Sequence, residues 1–410
     1  MHGSAQIDAP PRLPATHDPV ADPPWEVHAV QRLGMAFLDR ELEAGEGLQI
    51  GYSTDPQMRP GSILSHRAVL KADLDPGLRA RLARFGGDLR EALTSGMGLK
   101  LIGDLPPSTR QAPATYTETH RHGDRGRFRF YAPRHSIAPC ADMTGICLVG
   151  LWRAGALDAG QLRSGALEVL RAAAAESVAA HDNISHGGSN GPLHAGVLKI
   201  YWDDHPDGPL RRRGRKHDAV VVCDGLHAVL LAARHAGLDL AHETVPLFEH
   251  RADGTAVTSS LPAHEIVRRS VAYLHQTCTS GRLLEGTTYY GCSTFLMALL
   301  ADLISDGGPA VASLRAPLVE ALGEWGRRRE SGSAPPLERS ALALAGALFA
   351  ARRLGLDEPQ VDAWEAALVG QQAPDGSWAP APWYRMRTRP LFYGNATSTT
   401  VMALAALGVR

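Results

Sequence analysis

Acidic, histidine and aromatic residues fall at several places in this 410-residue chain where their types and spacing suit chemistry. Asp203, Asp204 and Asp207 spell D-D-x-x-D, and carboxylates so spaced can share Mg²⁺ ions that hold a diphosphate. A His-Pro pair interrupts the run just before Arg211, Arg212, Arg213, Arg215 and Lys216. A solvated charged loop is the simpler reading, with a diphosphate grip by the basic run as the other. Eighteen histidines include His120 and His122 as H-x-H, and His181, His186 and His194 in one stretch with Asp182, which would make a metal site assembled from loops. Their spacing lacks the two-on-one-face geometry of H-E-x-x-H, so each reads first as structural or solvent-exposed. Asp142 opens an apolar run as Cys140, Ala141, Asp142, Met143, Thr144, and an acid followed by Thr at such a place is a common helix cap.

Aromatic residues are only 6% of the chain, but their placement is ordered. Phe128, Phe130 and Tyr131, then Tyr289 and Tyr290, then Trp383, Tyr384, Phe392 and Tyr393 each come shortly before an apolar run, and Tyr201 with Trp202 ends a long polar stretch. The elements that must position them are helices. ADMTGICLVGLWRAGAL, VVVCDGLHAVLLAARHAGL, GCSTFLMALLADLISDGG, RSALALAGALFAARRLGL and STTVMALAALGV are almost continuously apolar, and Gly155, Gly237, Gly307, Gly355 and Gly408 close them. Between them, AGQLRSGALEVLRAAAAESVAAH, PAHEIVRRSVAYLHQ, AVASLRAPLVEALGEWGRR and EPQVDAWEAALVGQQ carry charge on one face. Segments 28–43 and 77–93 are also helical in spacing, 104–126 reads as a polar stretch, and convincing strand signals are absent.

Helices apolar all round, alternating with one-sided helices, imply two layers. The expected fold is all-α: an α/α barrel (toroid) of about six helical hairpins in a single domain over 25–410, with an insertion at 181–217. An open helical solenoid is the alternative. Residues 1–24 form a Pro-rich tail, disordered or strapping.

Composition narrows the function classes. Lys plus Arg is 42 and Asp plus Glu is 43, so no global field points to nucleic acid. Cys140, Cys147, Cys223, Cys278 and Cys292 lack CxxC spacing and suit reduced thiols in a cytoplasmic protein. No transmembrane segment is expected, because no stretch offers ~18 to 20 continuous apolar residues; peripheral membrane contact stays open, and the oligomeric state is unknown. No Walker loop, dinucleotide fingerprint or G-x-S-x-G elbow occurs.

Near the C-terminus Gln372, Gly376 and Trp378 stand as Q-x-x-x-G-x-W, followed by a Tyr-Gly pair and an apolar, Thr-rich run. This resembles the repeat of squalene and hopene cyclases and the related protein prenyltransferase β subunits. A second resemblance lies at residues 140–144, where class II terpene cyclases of that superfamily carry D-x-D-D-T at the start of an inner helix. Here only the middle acid stands, as Asp142 between Cys140 and Met143. The resemblance implies an isoprenoid or terpenoid-type substrate, an apolar small molecule cyclised in a central cavity after protonation by Asp142 as general acid. It also implies a substrate-lining set: Phe130, Tyr131, Trp202, His227, Tyr289, Tyr290, Cys292, Trp383, Phe392 and Tyr393. Aromatic faces suit a carbocation at ~0.5 to 2 kcal/mol each. Zinc-dependent protein prenylation is rejected, since Tyr290 replaces the Asp that should precede Cys292, and Asn395 and Ala396 stand where a His is required. No organic cofactor is expected, with Mg²⁺ or a His-bound metal as minor alternatives. The competing functions are a metal-assisted reaction in the same barrel, as part of natural-product biosynthesis, and a non-catalytic binding protein or enzyme partner.

Overall fold

A helix that is apolar on every face must be enclosed on every face, and six helices meet that condition among the residues described by the computed structural model. Those residues are 25–43, 51–53, 55–59, 62, 95–101, 107–123, 125–131, 138–185, 188–189, 191–202, 216–251, 255–283, 287, 289–357, 359–385 and 392–408. The Pro-rich tail, the segment 77–93, His186, the three acids of D-D-x-x-D and Arg211, Arg212, Arg213 and Arg215 lie outside them.

The helices in chain order are α1 (Trp25–Glu43), α2 (Ser95–Leu101), α3 (Pro107–Glu118), α4 (Ala141–Arg153), α5 (Ala159–Leu170), α6 (Ala219–His235), α7 (Ala263–Thr279), α8 (Ser293–Gly307), α9 (Arg315–Glu330), α10 (Ala341–Arg353), α11 (Pro359–Val369) and α12 (Ala396–Ala406). The chain is mostly helical, as expected of an all-α protein. The buried helices are α2, α4, α6, α8, α10 and α12. Each packs on the next, and α12 packs on α2, so the succession of contacts returns to its start. The one-sided helices flank them: α1 lies on α12, α3 on α2, α5 on α4 and α6, α7 on α6, α9 on α8 and α11 on α10. In α7 the buried positions are Ala263, Ile266, Val267, Ser270, Val271, Leu274 and Cys278, a single stripe at helical spacing.

Close approach of the buried helices depends on two glycines of α4. A Cβ on Gly145 would lie 2.4 Å from the Asp224 carbonyl oxygen of α6, and one on Gly150 would lie 2.5 Å from the Gly96 carbonyl oxygen of α2. Only a residue without a side chain lets these backbones meet.

Several expectations need correction. The stretch 104–126 is not an extended polar connection: Pro107 begins α3, and proline in a first helical turn costs no hydrogen bond. Helix α5 ends at Leu170 instead of running on toward His181, its start fixed by a capping box between Asp158 and Gln161. Strands are present. The longest pair is β6 (Thr244–His250) with β7 (Ala256–Pro262), an antiparallel hairpin in which Val245 and Leu247 turn inward from one face of β6. Shorter pairs are β2 (Arg121–His122) with β3 (Arg127–Phe128), and β4 (Ile184–Ser185) with β5 (Gly188–Ser189) inside the insertion. A three-stranded sheet joins β1 (Tyr52–Ser53), β9 (Phe392–Tyr393) and β8 (Tyr384–Arg385) in that order. The turn after α8 falls on Gly308, at φ 63°, one residue beyond Gly307. The continuous stretch Ser293–Glu330 is long and apolar enough to cross a membrane by length and composition alone; more than half of its apolar window is buried inside the protein.

The C-terminal Q-x-x-x-G-x-W fastens the end of α11. Trp378, fully buried, donates its Nε1 proton to the Leu368 carbonyl at 2.8 Å, and Gln372 Nε2 donates to the carbonyls of Gly376 and of Val30 in α1.

Candidate functional site

The first turn of α4 is anchored from both sides: Ala141 N–H donates to the Ile200 carbonyl and Phe128 N–H to the Thr144 hydroxyl. Its N-cap is Cys140, whose side chain makes no cap bond. Asp142 is therefore not the cap, and its carboxylate is free for other partners. From Ala141 to Leu151 it is the one residue not fully buried, and its Oδ1 is enclosed.

Two partners meet that carboxyl. The Tyr290 hydroxyl donates to Asp142 Oδ2 at 3.2 Å. Asp224, from the second turn of α6, stands close enough for the two carboxyls to act on each other's charge, and Asp142 Oδ1 and Asp224 Oδ2 are both buried without a hydrogen-bond partner. Two buried carboxyls so close do not both ionise. Burial, reinforced by the negative charges of Asp224 and Asp218, holds Asp142 well above the ordinary carboxylate range. Burial also raises Asp224, but the Lys100 ammonium on its Oδ1 pulls the other way.

This pair is one end of a buried polar column. Lys100 of α2 binds Asp224, and both side chains are fully enclosed. Arg153, at the end of α4, donates to the Lys100 carbonyl, to Asp302 and to Asp306 of α8. Arg353 of α10 also binds Asp302, at 3.1 Å. These cations outweigh the burial of Asp302 and hold it down to about 2. His227 lies in this column, not with the aromatic residues: its Nε2 faces Asp306 at 3.0 Å, and burial with the nearby Lys100 charge lowers it to about 4, so it is neutral at pH 7.

On the other side of Asp142 the short strands line up four tyrosines. Tyr52 pairs with Tyr393, Tyr393 with Tyr384, and Tyr384 bridges to Tyr290. The side chains of directly opposed residues on neighbouring strands touch, and here successive ring centroids stand 5.1, 5.1 and 6.1 Å apart. Phe130 packs on Tyr131 and Tyr384, and Tyr290 stacks on Phe295, which meets Trp383. Trp383 is buried with its Nε1 proton unpartnered. Phe130, Tyr131, Tyr289, Tyr290, Trp383 and Tyr393 thus belong to one aromatic group, joined by Tyr384, Tyr52 and Phe295. Tyr201 is close enough to Tyr131, Tyr289 and Asp142 for their charges to raise it, on top of burial. Tyr289 stacks on Tyr384 at 5.5 Å, and the Lys216 ammonium donates to its hydroxyl.

Three residues named from the sequence stand apart from this group. Trp202 lies under the Arg127 guanidinium at 4.3 Å and donates to the Glu168 carbonyl, so it braces α5. Phe392, on β9 opposite Ser53 and Arg385, points to the other face of its strand from Tyr393. Cys292 is the N-cap residue of α8, its thiol pushed up to about 12 by burial and the Glu338 charge, hence a neutral thiol. The histidines named for a metal have separate partners: His120 meets Tyr116 edge to face, His122 accepts from Arg129, His181 sits beside Asp182, and His194 stacks on His217.

Asp224 and Lys100, which complete the acid site, were not singled out from sequence. The signal was present for Asp224: one acid inside the otherwise apolar VVVCDGLHAVLL requires a buried partner.

No family model and no curated protein sequence matches this chain. Solved structures do. The type II terpene cyclase MstE from Scytonema, in its apo form, superposes with a TM-score of 0.53 at 14% identity, covering 93% of this chain and 97% of that one. MstE in complex with geranylgeranyl dihydroxybenzoate, its substrate, gives 0.52 at 14% identity, over 93% and 96%. A protein from Actinoplanes gives 0.52 at 18% identity, over 93% and 99%. The chain shares their fold.

Proposed function

We propose that this chain is a terpene cyclase-like enzyme of the squalene and hopene cyclase kind: an α/α barrel of about six hairpins over 25–410, with its insertion at 181–217, in which Asp142 protonates an alkene of an isoprenoid substrate. The observation that carries this reading is which carboxyls have a cation on them: Asp224 has Lys100, Asp302 has Arg153 and Arg353, and Asp306 has Arg153. Asp142 has none, only the neutral Tyr290 hydroxyl, and a buried carboxyl without a cation keeps its proton. A neutral carboxylic acid beside a group of aromatic side chains suits alkene protonation.

The step balances without a cofactor. The proton leaves the Asp142 carboxyl for an alkene carbon, the alkene π electrons form the new C–H bond, and the adjacent carbon becomes cationic. A second alkene of the same chain attacks that carbon to close a ring, and loss of a proton from carbon ends the sequence, giving an isomer of the substrate. The Tyr290 hydroxyl, bonded to Oδ2, supports the Asp142 carboxylate left behind. The aromatic faces stabilise each cation by ~0.5 to 2 kcal/mol and exclude water that would trap it. Geranylgeranyl dihydroxybenzoate, the substrate of the structural neighbour, represents the chemical class: a long apolar polyene on an aromatic acid.

The test is incubation of the full chain with geranylgeranyl dihydroxybenzoate and with geranylgeranyl diphosphate, followed by mass spectrometry and NMR. A ring-containing product of unchanged mass, lost in Asp142→Asn, is expected. No conversion of either probe, or equal conversion by Asp142→Asn, overturns the proposal.

A further inference from the structure

One proton shared by two carboxyls can rest on either, and which one holds it decides whether the acid faces the substrate. The pair here is unsymmetrical. Asp224 Oδ1 binds the Lys100 ammonium, with both side chains at 0% exposure. Asp142 receives only the neutral Tyr290 hydroxyl. Lys100 is also fixed through its backbone, because Arg153 donates to its carbonyl and Gly150 lets α2 lie directly against α4. The cation comes from α2, the anion from α6 and the acid from α4, three neighbouring buried helices.

We propose that Lys100 is a positioning residue for the protonation reaction: by binding Asp224 it fixes the negative charge there and leaves the proton on Asp142, the carboxyl beside the aromatic group. This rests on the reading of Asp142 as the acid. Without the ammonium, Asp224 would be an enclosed anion with no partner and would take up a proton of its own, so Asp142 would lose the neighbouring anion that holds its carboxyl in place for proton transfer. The other groups around the pair do not substitute for Lys100. Tyr290, Cys140 at the N-cap of α4 and Cys223 beside Asp224 are kept neutral by burial. Asp218 at the N-cap of α6 and Asp302 toward Lys100 add negative charge to the surroundings.

The experiment is infrared spectroscopy of the purified full chain without substrate, following the stretch of protonated carboxyl groups, beside turnover of geranylgeranyl dihydroxybenzoate. The parent should show a buried protonated carboxyl that Asp142→Asn removes. Lys100→Met should show one more protonated carboxyl than the parent, surviving Asp142→Asn, with turnover reduced at least tenfold. Lys100→Met with Asp224→Asn removes cation and anion together. That double variant should return the parent's protonated-carboxyl count and recover much of the turnover lost in Lys100→Met. It also keeps the parent's charge balance, so it carries the spectroscopic test if the single variant does not fold. A Lys100 that only holds helices together predicts a double variant no better than the single. That result, or a parent band that survives Asp142→Asn, or a Lys100→Met spectrum equal to the parent's, overturns the proposal. Failure of the parent to convert the probe sinks the cyclase reading and leaves the spectra to decide the position of the proton.

Discussion

Gly145→Ala tests whether contact between α4 and α6 makes the acid pair. A Cβ at this position would stand 2.4 Å from the Asp224 carbonyl oxygen, 2.6 Å from its carbonyl carbon and 2.9 Å from the Gly225 nitrogen, where ordinary contact begins at 3.4 Å. All three atoms are helix backbone and cannot rotate aside, so the helices must part by about 1 Å. Forcing a methyl into a packed core costs ~1 to 3 kcal/mol. The same displacement acts on the approach of Asp142 to Asp224, one turn away, and a 1 Å misplacement in a catalytic arrangement can cost about 100-fold. The assay is a urea titration with turnover measured on the same preparations. Gly323→Ala in α9 is the control: its Cβ meets only the Arg327 guanidinium at 3.6 Å, and replacing Gly inside a helix should stabilise by ~0.5 to 1 kcal/mol. Parent-like stability and turnover in Gly145→Ala would refute the claim that a bare backbone contact positions the pair.

Asp142→Asn should keep the fold, since the N-cap is Cys140, and lower turnover by orders of magnitude; intact turnover removes Asp142 from the mechanism. Trp378→Ala deletes a fully buried ring and its bond to Leu368, for a loss of ~3 to 5 kcal/mol read from the denaturation midpoint; no change would mean that this fastening of α11 is unimportant. For pH, His217 and His227 are lowered to about 3 and about 4 from 6.5 by burial. Groups depressed on folding contribute stability that is complete above pH 6.5 and lost as pH falls toward 4. Asp142 and Asp224, raised on folding, run the other way. Each imidazole contributes a slope of up to ~1.4 kcal/mol per pH unit, so in Asp142→Asn, where one opposing group is gone, the urea midpoint should drop between pH 6.5 and 4 by more than in the parent. A midpoint that is flat or rising over that range in this variant would contradict the burial of these imidazoles.

Five of the six buried helices were legible because their runs are apolar on all faces and stop at glycine; α2, SGMGLKL, was not, being only seven residues long with two glycines and a lysine. Asp142 was legible as the acid that opens one of them. Its partners were not, for a geometric reason: Lys100, Asp142, Asp224 and Tyr290 come from four segments, and the 124 positions between Lys100 and Asp224 carry no periodicity that brings them together. Tyr290, Tyr384 and Tyr393 were legible as residues gathered before helices, whereas Tyr52 was not singled out. Their common row depends on the register of strands two residues long, too short to leave an alternating pattern. The hairpin of β6 and β7 escaped notice because β7, AVTSSLP, buries no side chain, and its small and hydroxyl residues read as loop. Trp202 shows the opposite error, an aromatic residue in a suggestive place that serves Arg127 and α5.

The contacts of α12 with α1 and α2 have a kinetic consequence. Gln31 and Leu407 are bonded across 376 positions, and Tyr52 pairs with Tyr393, whereas the hairpin from His250 to Ala256 closes over six. Each doubling of loop length adds ~0.6 kcal/mol of closure entropy, so the wider closure carries ~3.6 kcal/mol more against it, unless the intervening helices have already assembled and shortened the gap. The seam between α12 and α2 should therefore form late in folding, after the local helix pairs. Until it forms, the apolar faces of these two helices lack their partners. A pulse-labelling hydrogen-exchange experiment should find amides of α12 protected after those of α4 and α6, and dilution should improve refolding yield by keeping open seams of different molecules apart.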